Sequence, residues 1–228
     1  RLHPEHDRLL EAGANRSLFL TADWMTSWLE VFGPGHDVVN LAFEDTGDLI
    51  GLAPLAVTRA RTRQPLRRLM LVGQWPTSGE HLDVLARAGE EARVAEALAY
   101  SLTGPYRRRW DVLTIQRVLA GAPVLSHLAA AFEERGCRVR LLPTGDSPSV
   151  TLPPAGGDLL HGRSKNFRER ARQTRRRIHG LGEVEVSVVG ADLALGAGFD
   201  ELLRLHRTRW DGASSFDTPD KVRFHQAL

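Results

Sequence analysis

Cysteine is all but missing: Cys137 is the only one among 228 residues. A single thiol excludes an internal disulfide and any cysteine-based zinc site. It fits a reducing compartment, so a cytoplasmic location is expected. Arg138 and Arg140 flank it and would activate an exposed thiol, but the surrounding alternation reads as a buried strand. Lysine is nearly missing too. Lys165 and Lys221 stand among 30 basic residues, so the other 28 are arginine. Genome composition alone can produce that bias; bidentate anion recognition is argued only where arginines cluster. The net charge of +2 is too small to argue nucleic-acid binding by itself. No apolar run approaches the ~20 residues that cross a bilayer, and no N-terminal apolar stretch reads as a signal peptide. No membrane span is expected. The chain contains no Gly-x-x-x-x-Gly-Lys phosphate loop, no Gly-x-Ser-x-Gly elbow and no His-Glu-x-x-His, and no metal is expected. It opens at Arg1 and closes with Gln226-Ala227-Leu228 inside a helical pattern; both ends are expected to be cuts from a longer chain.

What is present alternates between strand and helix signals. Thr21 is a plausible N-cap, and Trp24, Trp28 and Phe32 follow along one helical face until Gly33-Pro34-Gly35. Tryptophans at that spacing are read as core. Residues 38–44 and 49–58, joined by Asp45-Thr46-Gly47-Asp48, read as an antiparallel hairpin. Pro54 in the second strand implies a bulge or an edge there. A third strand is expected at 66–72, a loop at 74–83, a helix at 90–102, a strand at 110–116, a helix at 124–135 stopped by Gly136, and strands at 137–142 and 149–152. A segment rich in Pro, Gly, Ser and Thr at 143–157 marks a boundary. Beyond it a basic helix spans roughly 158–179, a strand 184–189 and a helix 199–210. Antiparallel strands first and β-α-β units later predict a mixed, largely antiparallel sheet flanked by helices, an α/β (α+β) fold.

The strongest local signal lies within residues 163–177. At 100° per residue, Leu160, Phe167, Ala171, Thr174 and Ile178 fall within about 60° of one another and form an apolar seam, by which the helix is expected to dock on a second sheet. Beside it Lys165, Arg168, Arg172, Arg175 and Arg176 make a cationic stripe opposed only by Glu169. The stripe is the candidate site for a substrate or its phosphates. The alternative is a solvated face paired with acidic residues elsewhere. RNA is the weaker partner, because no aromatics interleave with the cations. His206 shares a face with Phe199, Leu202, Leu203 and Trp210 and reads as a core histidine. Glu80, His81 and Asp83 share a loop and carry no site claim.

Six ordered pieces carry a resemblance to a known family. They are Gly51-Leu52-Ala53-Pro54-Leu55, Trp110-Asp111-Val112-Leu113 and Ser149-Val150-Thr151-Leu152-Pro153, then Ser164-Lys165-Asn166-Phe167-Arg168 with its arginines, Leu205-His206-Arg207-Thr208-Arg209-Trp210, and Phe224-His225. Together they resemble the CelD-like (cellulose-biosynthesis-associated) branch of the GNAT acyltransferase superfamily, itself similar to the FemAB peptidyltransferases. The resemblance implies a GNAT-like domain at 1–150 and the beginning of a second, truncated one at 151–228. It implies an enzyme, an N- or O-acyltransferase taking acetyl-CoA or another acyl-CoA as donor. The acceptor would be an amine or hydroxyl on a small molecule or a saccharide-linked substrate of polysaccharide or cell-envelope synthesis. FemAB relatives imply aminoacyl-tRNA instead, and a degenerate, non-catalytic scaffold is the third alternative. GNAT enzymes hold the donor pyrophosphate on an Arg/Gln-x-x-Gly-x-Gly/Ala turn. Gln74 is followed by Trp75-Pro76-Thr77, so the first domain departs from that pattern. The second is expected to stop before its donor site.

Overall fold

The structure, a computed structural model, describes residues 3–59, 66–154, 157–210, 216 and 218–228. Two compact units emerge: Arg1–Leu142 with Leu205–Leu228, and Pro143–Arg204.

In the first unit, helix α1 (His3–Ala12) precedes α2 (Ala22–Phe32). The Thr21 side chain accepts from the Trp24 amide, which fixes where α2 begins. Strands β1 (Asp37–Asp45) and β2 (Asp48–Arg59) form the expected hairpin. Thr46 and Gly47 both have positive φ, the geometry of a two-residue turn that matches strand twist. β2 pairs antiparallel with β3 (Arg67–Leu71) at one end and with the short β4 (Leu85–Ala86) at the other. Helix α3 (Glu91–Thr103) leads to β5 (Val112–Leu113), parallel to β3, and then to α4 (Pro123–Glu134), which ends before Gly136 with φ +75°.

β2 is central rather than an edge, which corrects the reading of Pro54. Gly51 through Val57 are all buried, as a strand covered on both faces requires. The Pro54 carbonyl accepts from the Val72 amide at 2.9 Å. In an antiparallel pair the N and O of one residue face the same side, so the missing proline N–H points to where β3 has just ended. One bond is lost at a strand end, and the hairpin bulge falls elsewhere, between Phe43 and Glu44. On one face Leu52 and Pro54 share a cavity lining with His6 of α1 and Met25 of α2. On the other, Val94 of α3 sits over Gly51: a Cβ there would lie 2.5 Å from a Val94 methyl. The result is a helix–sheet–helix sandwich.

Three expected strands do not form. Residues 137–142 and 149–152 make no ladder, and residues 184–189 contribute only the single Val189–Leu193 bridge. Val184, Val186 and Val188 alternate as a strand should, but all are exposed; without a paired neighbour the pattern has nothing to lie against. The 110–116 strand contracts to the two residues of β5. In the second unit, α5 (Lys165–His179) starts seven residues later than expected, and α6 runs Leu195–Trp210 into the first unit's numbering.

α7 (Pro219–Ala227) belongs to the first unit and packs on α2. Phe224 is fully buried and meets Trp24 edge-on at 4.8 Å and Phe32 at 5.8 Å. Trp28, equally buried, donates from its indole to the Trp75 carbonyl at 3.0 Å, so the tryptophan stripe is core as read. Phe224→Ala is expected to cost about 3–5 kcal/mol in chemical denaturation. A change below about 1 kcal/mol would show that α7 does not seat on α2.

Candidate functional site: an arginine helix and a buried carboxylate

The five sequence-predicted cations lie on one well-formed helix. The Ser164 hydroxyl caps α5 by accepting from the Phe167 amide at 3.3 Å, and Gly180 closes the other end through the Arg176 carbonyl. Arg176, Arg177 and His179 in the last turn complement the helix dipole. Glu169 supplies the opposing charge from within the stripe, 3.8 Å from Arg172 and 3.1 Å from Arg176. Both pairs are exposed, and such pairs contribute about 0–1 kcal/mol. Lys165, Arg168 and Arg175 have no acidic partner among the described residues. The apolar seam exists, yet Phe167 is 54% exposed, Ile178 is 48% exposed and no residue of α5 is buried. The expectation of a helix docked by that seam is not met within the second unit, where the strand it would lie on is unformed.

The loop from Gly73 to Asp83 supplies buried polar groups that the sequence did not mark. Gly73 has φ +85°, and a Cβ there would come within 2.8 Å of the Trp24 indole nitrogen. That indole N–H is buried without an acceptor among the described residues. The Gln74 side chain is buried and accepts from the Gln116 amide at 3.0 Å, tying the chain after β3 to the chain after β5. At the start of these strands, Arg67 and Asp111 form a bidentate pair, with Nη2–Oδ1 2.7 Å and Nε–Oδ2 3.0 Å. The Arg67 guanidinium holds the Asp111 carboxyl well below the usual carboxylate range.

Asp83 behaves in the opposite sense. Burial pushes its pKa from 3.8 up to about 6, although the Val84 and Val124 amides donate to it and oppose the shift; Glu91 adds to it. Val124 lies in the first turn of α4, whose own N-cap residue Ala122 has no side chain able to accept. Asp83 therefore caps α4 from a distant loop. The void beside it is about 10 Å³, room for one water at most, so no reacting atom fits and Asp83 is structural. Glu80 pairs with Arg117, and the His81 carbonyl accepts from Asn15. Arg117 and Asn15 thus tie the loop to the rest of the first unit.

Among histidines, His6 was passed over in the sequence. It is 6% exposed and its Nε2 lies 2.7 Å from the Leu20 carbonyl. A carbonyl only accepts, so that nitrogen carries the proton. The ring lines a mostly apolar cavity of about 180 Å³ with Met25, Leu29 and Leu52. It is one of two histidines in a polar segment, and nothing there distinguishes it from a surface residue. His206 is half-buried against Phe216 at 5.0 Å and Trp210 at 6.2 Å, consistent with a packing role. No cluster of metal-ligating side chains occurs among the described residues, and no helix among them is long and apolar enough to cross a membrane.

Helices on both faces of a mixed, mostly antiparallel sheet define a GNAT-like α/β fold. The solved crystal structure of FemX is similar to this chain, with a TM-score of 0.57 and 18% identity over 99% of this chain. The match covers 53% of FemX, so the chain spans about half the length of the protein it is similar to. No family profile and no curated protein sequence matches the chain.

Asp83 gives the fold a pH signature. The folded protein keeps its proton up to about pH 6, whereas the unfolded chain releases it near 3.8. The contribution to stability is complete below the lower value and is lost as pH rises through the upper one. It amounts to about 3 kcal/mol at most. Asp83→Asn should flatten the stability-against-pH curve between pH 4 and about 6. An unaltered slope in urea titrations across that window would show that Asp83 is ionised throughout.

Proposed function

We propose that the chain is part of a transferase that moves an activated acyl or aminoacyl group onto an amine or hydroxyl acceptor. The observation that carries this reading is the likeness to FemX along 99% of the chain. It supports the FemAB-like side of the resemblance, and on that side the donor is aminoacyl-tRNA and the product a peptide bond on an envelope-linked acceptor. Residues 151–228 would open a second GNAT-like domain.

A second reading keeps the CelD-like donor, an acyl-CoA such as acetyl-CoA, with a saccharide-linked acceptor. The α5 stripe favours it. From Lys165 to Arg176 it covers about 17 Å of helix, the reach of a few phosphates rather than of a tRNA arm, and it offers no row of aromatic platforms. In either case the donor is polyanionic. Lys165, Arg168, Arg172, Arg175 and Arg176 would hold it by charge-assisted hydrogen bonds, and the acceptor nucleophile would attack a carbonyl held in place by that grip. The pair Glu169–Arg176 sets the order of contribution: Lys165, Arg168 and Arg175 are free to meet phosphate without breaking an existing bridge.

The test is donor binding by the full-length protein, with labelled tRNA across a salt series and with acetyl-CoA by calorimetry. Steep salt dependence for tRNA supports the FemAB-type reading; acetyl-CoA binding without tRNA affinity supports the second. Arg168→Glu with Arg175→Glu should weaken the bound donor at least about ten-fold and make a tRNA salt slope shallower by about 2. If neither donor binds, the chain is a scaffold and the transferase reading fails.

A further inference from the structure

β5 is the last strand in the order β1-β2-β3-β5. Its register with β3 pairs Leu69 with Leu113, and the Thr114 amide donates to the Leu69 carbonyl at 2.9 Å. Amides alternate sides along a strand, so the Leu113 N–H faces the outer edge. Across from that edge runs residues 137–142, where apolar Cys137, Val139 and Leu141 alternate with Arg138 and Arg140. The pattern is that of a strand, yet no backbone hydrogen bond is made by residues 138–142 among the described residues. Between the two lies a cavity of about 550 Å³, lined by both segments and floored by Trp110, Leu128 and Phe132.

Unpaired edges on either side of an apolar-floored slot are the conditions for strand addition. The charges select the occupant. Arg107, Arg135, Arg138 and Arg140 line the slot. Its only carboxylate among the described residues, Asp111, is already gripped by Arg67. Arg138 and Arg140 have no acidic partner among the described residues. A second copy of the 137–142 segment would bring its own arginines into this field and be repelled. We propose that the slot binds an extended acidic peptide, which adds to β5 as a strand. Alternate apolar side chains would lie on the Trp110–Phe132 floor and the intervening carboxylates would meet the arginines. Six residues of extended chain reach about 20 Å, which sets a peptide of roughly that length. This site lies within the first unit and is independent of α5 and of the donor.

The probe is a fluorescent hexapeptide alternating glutamate and valine, titrated against the full chain by anisotropy. Its lysine–valine counterpart, a peptide with the sequence of residues 137–142, and dodecanoate are the competitors. The acidic peptide should bind at least about ten-fold more tightly than either basic peptide and slow hydrogen exchange at the Leu113 amide. Arg138→Glu with Arg140→Glu, both exposed, should weaken it about ten-fold or more. Ala129→Trp, which fills the slot from α4, should abolish binding, and circular dichroism reports whether that variant folds. Three results would overturn the proposal: equal binding of acidic and basic peptides, a Leu113 amide that exchanges unchanged at saturation, or displacement by dodecanoate with no peptide affinity.

Discussion

The first unit depends on one strand being buried on both faces. Gly51 to Val57 can be so only because each side has its cover: α1 and α2 over Leu52 and Pro54, α3 over Gly51. Gly51 has the further constraint that Val94 occupies the space of its missing side chain. Close approach of helix to strand removes water from apolar surface worth about 25 cal/mol per Å². The hairpin, β3 and β4 all take their register from β2, so displacing it would displace every other strand but β5.

At the far side of the sheet the ladder is thin, and side-chain hydrogen bonds take over its work. β5 has two paired residues. The Arg67–Asp111 fork fixes one end of the β3–β5 pairing, and the Gln74 amide group bridging to Gln116 fixes the other. Asp83 then anchors α4 through its first-turn amide. Burying that carboxyl is unfavourable in its charged form, but an uncapped helix start under the same loop would leave buried amides unmatched. The raised pKa is the visible cost of using a carboxylate where α4 offers only Ala122. An edge held by side chains rather than by a longer ladder also leaves β5 open on its outer side.

Much of this was legible in the residues. Thr21 before a tryptophan stripe, Asp45-Thr46-Gly47-Asp48 between two apolar runs, and Gly136 after a helical pattern each carry a local physical signal, and each appears where it was read. Pro54 misled because a lost donor is informative only once the facing strand is known, and β3 ends opposite it. The roles that His6, Gln74 and Asp83 play were not legible for a different reason. Their roles depend on partners 14, 42 and 41 residues away in sequence, and a polar residue in a polar segment announces none of that.

The failures at 137–142, 149–152 and 184–189 share a cause with the undocked seam of α5. Periodicity states which face of an element is apolar; it does not state what will cover that face. A strand is stable only as a pair, because its backbone groups must be matched by a neighbour, and an amphipathic helix gains most of its stability from packing. Val186 at 85% exposure and Val188 at 59% show apolar residues in the correct alternation with no neighbour to receive them. α5 nevertheless holds its shape, since intrahelical bonds, the Ser164 cap and the Glu169 bridges are all local. That difference explains why the arginine stripe, read from sequence alone, survives as a surface, while the sheet expected beneath it does not form.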